Sequence, residues 1–134
     1  MQTHRVPRHA LISGLACVAL AVAALSGCTE DRLKPSYSRS SIEPIVATKV
    51  GDDTLRVEFN EFLESMYYPA GISYIVDGDV MKIVVDRCAI EAECRTMLRR
   101  QVTPGPPAPA VQDIPLLAPR VVMLFADGEK QIFP

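Results

Sequence analysis

The chain has 134 residues, 49% of them hydrophobic, with 16 acidic and 14 basic residues for a net charge of −2. That is enough for one domain with a modest core, and without a basic stripe it argues against nucleic acid as a partner; Arg99-Arg100 is a single local pair. Both histidines, His4 and His9, lie at the very start and tryptophan is absent, so the rest of the chain excludes a Ser-His-Asp triad, a Cys-His pair and any His-ligated zinc or copper site, along with the usual general base near neutral pH.

In chain order, a basic start (His4, Arg5, Arg8, His9) precedes an apolar run from Leu11 to Leu25. Fifteen residues fall short of the roughly 20 that a membrane-crossing helix needs, but they match the apolar region of a signal peptide in length and in the placing of charge. The run ends in Leu25-Ser26-Gly27-Cys28. This resembles a bacterial lipoprotein signal peptide with its lipobox, over residues 1 to about 28. The resemblance implies cleavage before Cys28 and lipidation, palmitate included, on its sulfur. It also implies an outer-membrane anchor facing the periplasm, because Thr29 stands where aspartate would favour inner-membrane retention; in a Gram-positive organism the site would be the outer face of the cell membrane. Cys17 lies inside the apolar run, too close to the charged start to be the lipidated residue.

Cleavage would leave 107 of the 134 residues; Arg5 and Arg8 depart, so 12 basic residues face 16 acidic ones, a charge of −4. Residues 28–43, with the polar TEDRLKPSYSRSSIE after the cysteine, show no apolar period and read as a flexible tether. Residues 44–134 read as a single β-rich periplasmic domain.

Within that domain Ile45 to Val50 is a short strand, and Gly51-Asp52-Asp53 a turn. Thr54 to Phe59 alternates, with Leu55, Val57 and Phe59 on one face and Arg56 and Glu58 on the other, as a half-buried strand does. Asn60 to Tyr68 breaks the alternation; Phe62, Leu63, Met66 and Tyr67 fit a turn or two of helix with Asn60 as cap. Glu58, Glu61 and Glu64 cluster here. A catalytic carboxylate pair of glycosidase type is one reading of them and solvated charge is the other, which the shortage of aromatic residues favours.

Ile72 to Val76 and Val80 to Val85 flank Asp77-Gly78-Asp79 as a tight hairpin, apolar on both faces and therefore central in a sheet. The acidic turn lacks the further ligands of a calcium loop. Asp86 to Val102 is rich in helix formers and reads as a short helix, with a strand from about Arg95 as the alternative. Cys88 and Cys94 are the two cysteines left beside Cys28, an even pair that reads as a disulfide in an oxidising compartment. Thr103 to Ala110, rich in proline, reads as a stiff surface loop. Val121 to Phe125 and Lys130 to Phe133 form a last hairpin around Ala126-Asp127-Gly128, and Pro115 and Pro119 predict an edge or a bend before it.

Six or seven short strands predict a mainly β fold, a small immunoglobulin-like sandwich or partly open barrel with one short helix. The expected function is that of a non-catalytic envelope lipoprotein whose β domain binds another protein, either as an accessory subunit of an envelope or secretion assembly or as a periplasmic inhibitor. A small-ligand binder with a pocket between the sheets, lined by Tyr67, Tyr68, Tyr74 and Phe125, is the alternative, and a hydrolase using Glu58, Glu61 or Glu64 a third. Tyr67, Tyr68 and Tyr74 are the candidate partner surface, Cys28 the lipidation site and Cys88 with Cys94 the disulfide. Neither a cofactor nor a metal is expected.

Overall fold

A computed structural model describes residues 33–61, 63–100 and 109–134. The residues read as signal peptide and lipobox, and residues 103–108 of the proline-rich stretch, lie outside these. The described chain forms one short helix, α1 (Arg39–Ile42), and eight strands: β1 (Ile45–Lys49), β2 (Thr54–Phe59), β3 (Tyr67–Asp77), β4 (Val80–Ala89), β5 (Leu98–Arg99), β6 (Ala110–Pro115), β7 (Arg120–Phe125) and β8 (Gly128–Phe133).

The strands make two sheets, β1-β2-β6 and β5-β3-β4-β7-β8, whose inner faces share one core. Alternation in β2 sends Leu55, Val57 and Phe59 inward, at most 2% exposed, as the sequence pattern predicts. They meet Ile72 of β3, Met81, Ile83 and Val85 of β4, and Val121, Met123 and Phe125 of β7, with Ile114 of β6 completing the small sheet. Each such side chain contributes roughly 1.5–3 kcal/mol by leaving water. The fold is a small, mainly β two-sheet sandwich.

The three expected hairpins are present: β1 with β2, β3 with β4 and β7 with β8. In the β3–β4 turn Gly78 takes a φ of 59°, at the first of two loop residues, where a primed hairpin turn accepts glycine. β4 lies mid-sheet between β3 and β7, and Val84 on its outer face is as buried as Ile83 on the inner one. The β4–β7 pairing is parallel, because the chain leaves the larger sheet after β5 and visits the smaller one in β6 before returning. Pro115 ends β6, an edge strand of the described small sheet. Leu116 N donates to Asp53 O; alternation then turns the Pro115 nitrogen outward, where a missing N–H costs no ladder bond.

Three expectations need correction. The described residues of Asn60 to Tyr68 are not helical: Leu63 and Met66 are 80% and 65% exposed, and Tyr67 and Tyr68 already belong to β3. Asp86 to Val102 is not helical in its described part either. β4 runs on through Ala89, a turn follows, and β5 supplies two residues of strand, close to the alternative reading. The disulfide is the reason. Cys88 and Cys94 are bonded with Cα atoms 5.8 Å apart, whereas six residues of α-helix would rise about 9 Å, beyond disulfide reach. The one helix lies instead in the stretch read as tether. From Leu33 onward that stretch packs on the sandwich: Leu33, Tyr37 and Ile42 are buried, Tyr37 O accepts from Ala126 N, and Ile42 O from Asn60 N.

Candidate functional site

Two regions of the sandwich present features that packing alone does not require. The first is the outer margin of β3. This strand has 11 residues, but its outer neighbour β5 pairs only with Gly71 and Ile72. The segment before β5 is strapped over the sheet by a polar cluster: Ser73 Oγ and Thr96 Oγ1 both donate to Asp86 Oδ2 at 2.6 Å, and Met97 N donates to Ser73 Oγ at 3.3 Å. Gly71 lets the strap come this close, since a Cβ there would overlap Leu98 O and lie 2.5 Å from Thr96 Oγ1.

Beyond the strap, β3 has no strand beside it among the described residues. Ala70 O accepts from Arg100 N and Ile72 pairs with Leu98, so alternate residues point their backbone groups outward: Ala70, Ile72, Tyr74 and Val76. The Tyr74 N–H finds only the Met97 sulfur, at 3.3 Å, a weak acceptor. Val76 is 46% exposed.

The second region is the end of the sandwich where the β2–β3 connector, the start of β3 and the end of β4 meet. Arg87 pairs with Glu64 and lies 3.7 Å above the Tyr67 ring. Arg100 holds Glu61 through two bonds of 2.5 and 2.6 Å. Tyr37 is 4% exposed and its hydroxyl has no hydrogen-bond partner among the described residues; burial, then the charge of Glu64, pushes its ionisation up to about 12. A cleft of about 600 Å³ opens beside Tyr68, lined by Pro69, Arg95, Thr96, Arg99 and the disulfide loop.

The acidic trio does not converge. Glu58 points outward from β2, while Glu61 and Glu64 each lie in a separate arginine pair. The three tyrosines separate too: Tyr67 and Tyr68 are exposed, whereas Tyr74 packs against the core that contains the buried Phe125. The cleft beside Tyr68 lies against the disulfide loop. Among the described residues no group of three or more His, Cys, Asp or Glu is placed to hold a metal, and no helix is long and apolar enough to cross a membrane. Sequence reasoning missed Arg87 and Arg100, though the nearby glutamates needed cations, and Met97, whose position on the β3 margin had no local signal. Comparison with protein families, curated proteins and solved structures finds no match for this chain.

Proposed function

We propose that this chain is a non-catalytic envelope lipoprotein, anchored through Cys28, whose sandwich binds another protein by adding a strand of that partner to the free margin of β3. The carrying observation is the mismatch between an 11-residue strand and a two-residue neighbour. It leaves the outward groups of Tyr74 and Val76 without a strand partner among the described residues. Strand addition uses such groups for affinity and the flanking side chains for selection. The partner is an envelope protein, and the chain acts on it as an accessory subunit of an envelope or secretion assembly or as a periplasmic inhibitor. Engagement of Glu61 and Glu64 in separate arginine pairs supports a non-catalytic role, because neither carboxylate is left open to a substrate.

The test is purification of the lipidated protein from its own membranes, with mass spectrometry of what accompanies it. A stoichiometric protein should come along, and Val76→Pro should lose it. Proline there removes an outward N–H but none of the bonds to β4, so the variant keeps the fold. A solitary protein, or a partner retained by a folded Val76→Pro, counts against strand addition. The cleft beside Tyr68 favours a second reading, a small-ligand binder; a ligand-induced rise in melting temperature tests it.

A further inference from the structure

The two ends of the sandwich differ. At one end lie the start of β1, the end of β2, the start of β3, the end of β4 and the β7–β8 turn, as the registers require. At the other lie the Gly51–Asp53 turn, the β3–β4 turn and the end of β8. The first end carries the most exposed large apolar side chains of the described chain: Leu63 at 80%, Met66 at 65% and Ile90 at 61%, with Tyr67 at 38%. They belong together, because Ile90 N donates to Met66 O and Tyr67 pairs across the ladder with Ala89. They also stand proud of the sheet. The parallel register, continued, sets Phe125 level with Val85, and β4 runs four residues further, about 13 Å at strand rise.

The N-terminal segment enters at this same end: Tyr37 O is bonded to Ala126 N in the β7–β8 turn, and Arg39 N to Asp127. Cys28 lies nine residue steps before Tyr37, at most about 32 Å of extended chain, which is less than the roughly 36 Å length of the 11-residue β3. A lipid on Cys28 therefore draws this end of the domain, rather than the other, to the bilayer.

We infer that the end carrying Leu63, Met66, Tyr67 and Ile90 seats on the lipid bilayer, its apolar tips entering the boundary between headgroups and acyl chains. The inference rests on the proposed acylation of Cys28. It leaves the free half of β3, which runs toward the other end, available to a partner. Seating of this kind is driven by apolar burial, so it does not need anionic lipid.

The test uses the full protein isolated from membranes, its intact mass recording the acyl groups, reconstituted in phosphatidylcholine vesicles doped with a phosphatidylcholine that bears a diazirine on its acyl chain. After irradiation, lipid adducts should map to Leu63, Met66, Tyr67 and Ile90 and not to residues 51–53 or 77–79, with a yield unchanged by added salt. The triple variant Leu63→Ser, Met66→Ser, Ile90→Ser should lose most adducts yet stay in the vesicle fraction. Acylated protein without adducts at these tips, or with adducts at the opposite end, overturns the seating alone. So does cross-linking of the tips in native membranes to a protein instead of lipid. A protein bearing no acyl group on Cys28 overturns the anchor, and the seating with it.

Discussion

Gly71→Ala tests whether the strap over β3 is held as described. The new Cβ would overlap a backbone oxygen, Leu98 O, and crowd Thr96 Oγ1 at 2.5 Å. A backbone atom cannot swing away, so β5 must shift. Overpacking of this kind costs roughly 1–3 kcal/mol. The shift also strains the Arg100 N to Ala70 O bond of 2.9 Å and the Thr96 to Asp86 bond of 2.6 Å, each worth roughly 0.5–1.5 kcal/mol net. The expected loss is about 2–6 kcal/mol, a large share of a small domain's stability. Urea unfolding of wild type and variant measures it, with amide exchange at Arg99 and Arg100 as the local readout. Wild-type stability to within about 0.5 kcal/mol, with unchanged exchange at those two amides, would refute the close approach of β5 to β3.

Tyr37→Phe should stabilise the domain by about 1 kcal/mol, because it removes a buried hydroxyl that has no partner among the described residues; a destabilised variant would mean the hydroxyl is bonded. The same residue sets an alkaline limit. The unfolded chain releases this proton near pH 10 and the folded one near 12, so stability that is complete below pH 10 falls as pH rises to 12. The loss is about 3 kcal/mol, at roughly 1.4 kcal/mol per pH unit, and Tyr37→Phe should lack that part of the decline. Reduction of Cys88–Cys94, which spans six residues, should cost about 2.2 kcal/mol by loop entropy; equal melting temperatures with and without reductant would contradict this. Acid titration should release Glu43, whose carboxylate is held below its usual range by hydrogen bonds from Arg39 and then Lys130. The contact between α1 and β8 should therefore persist through mild acid and open only as pH falls through that lowered value.

Where one physical rule acted alone, the sequence was a good guide. Strict alternation set Leu55, Val57 and Phe59 inward, and Asp-Gly turns set two hairpins. Proline marked β6 as an edge. Where two rules competed, local pattern misled. The Ala-Ile-Glu-Ala-Glu run between Cys88 and Cys94 favours helix, but closing a bond across six residues forbids it, a conflict visible in the spacing itself. Leu63 and Met66 suggested a helical apolar face because a residue's type does not reveal whether it turns toward the core. Tyr37 and Ile42 sit in a polar stretch whose packing depends on Ala126 and Asn60, remote in sequence. The parallel β4–β7 pair and the short β5 arise from tertiary assembly, so the free margin of β3 could not be read from the chain. The arginine partners of Glu61 and Glu64 lie 39 and 23 residues away, and only the fold brings them together.

The proposed function depends first on the anchor at Cys28. The most direct measurement is the intact mass and N-terminal peptide of the protein taken from its native membranes. The account predicts a chain beginning at Cys28 whose first peptide carries the added mass of a diacylglyceryl group. A chain that retains residues before Cys28, or one that begins at Cys28 without acyl mass, would contradict it.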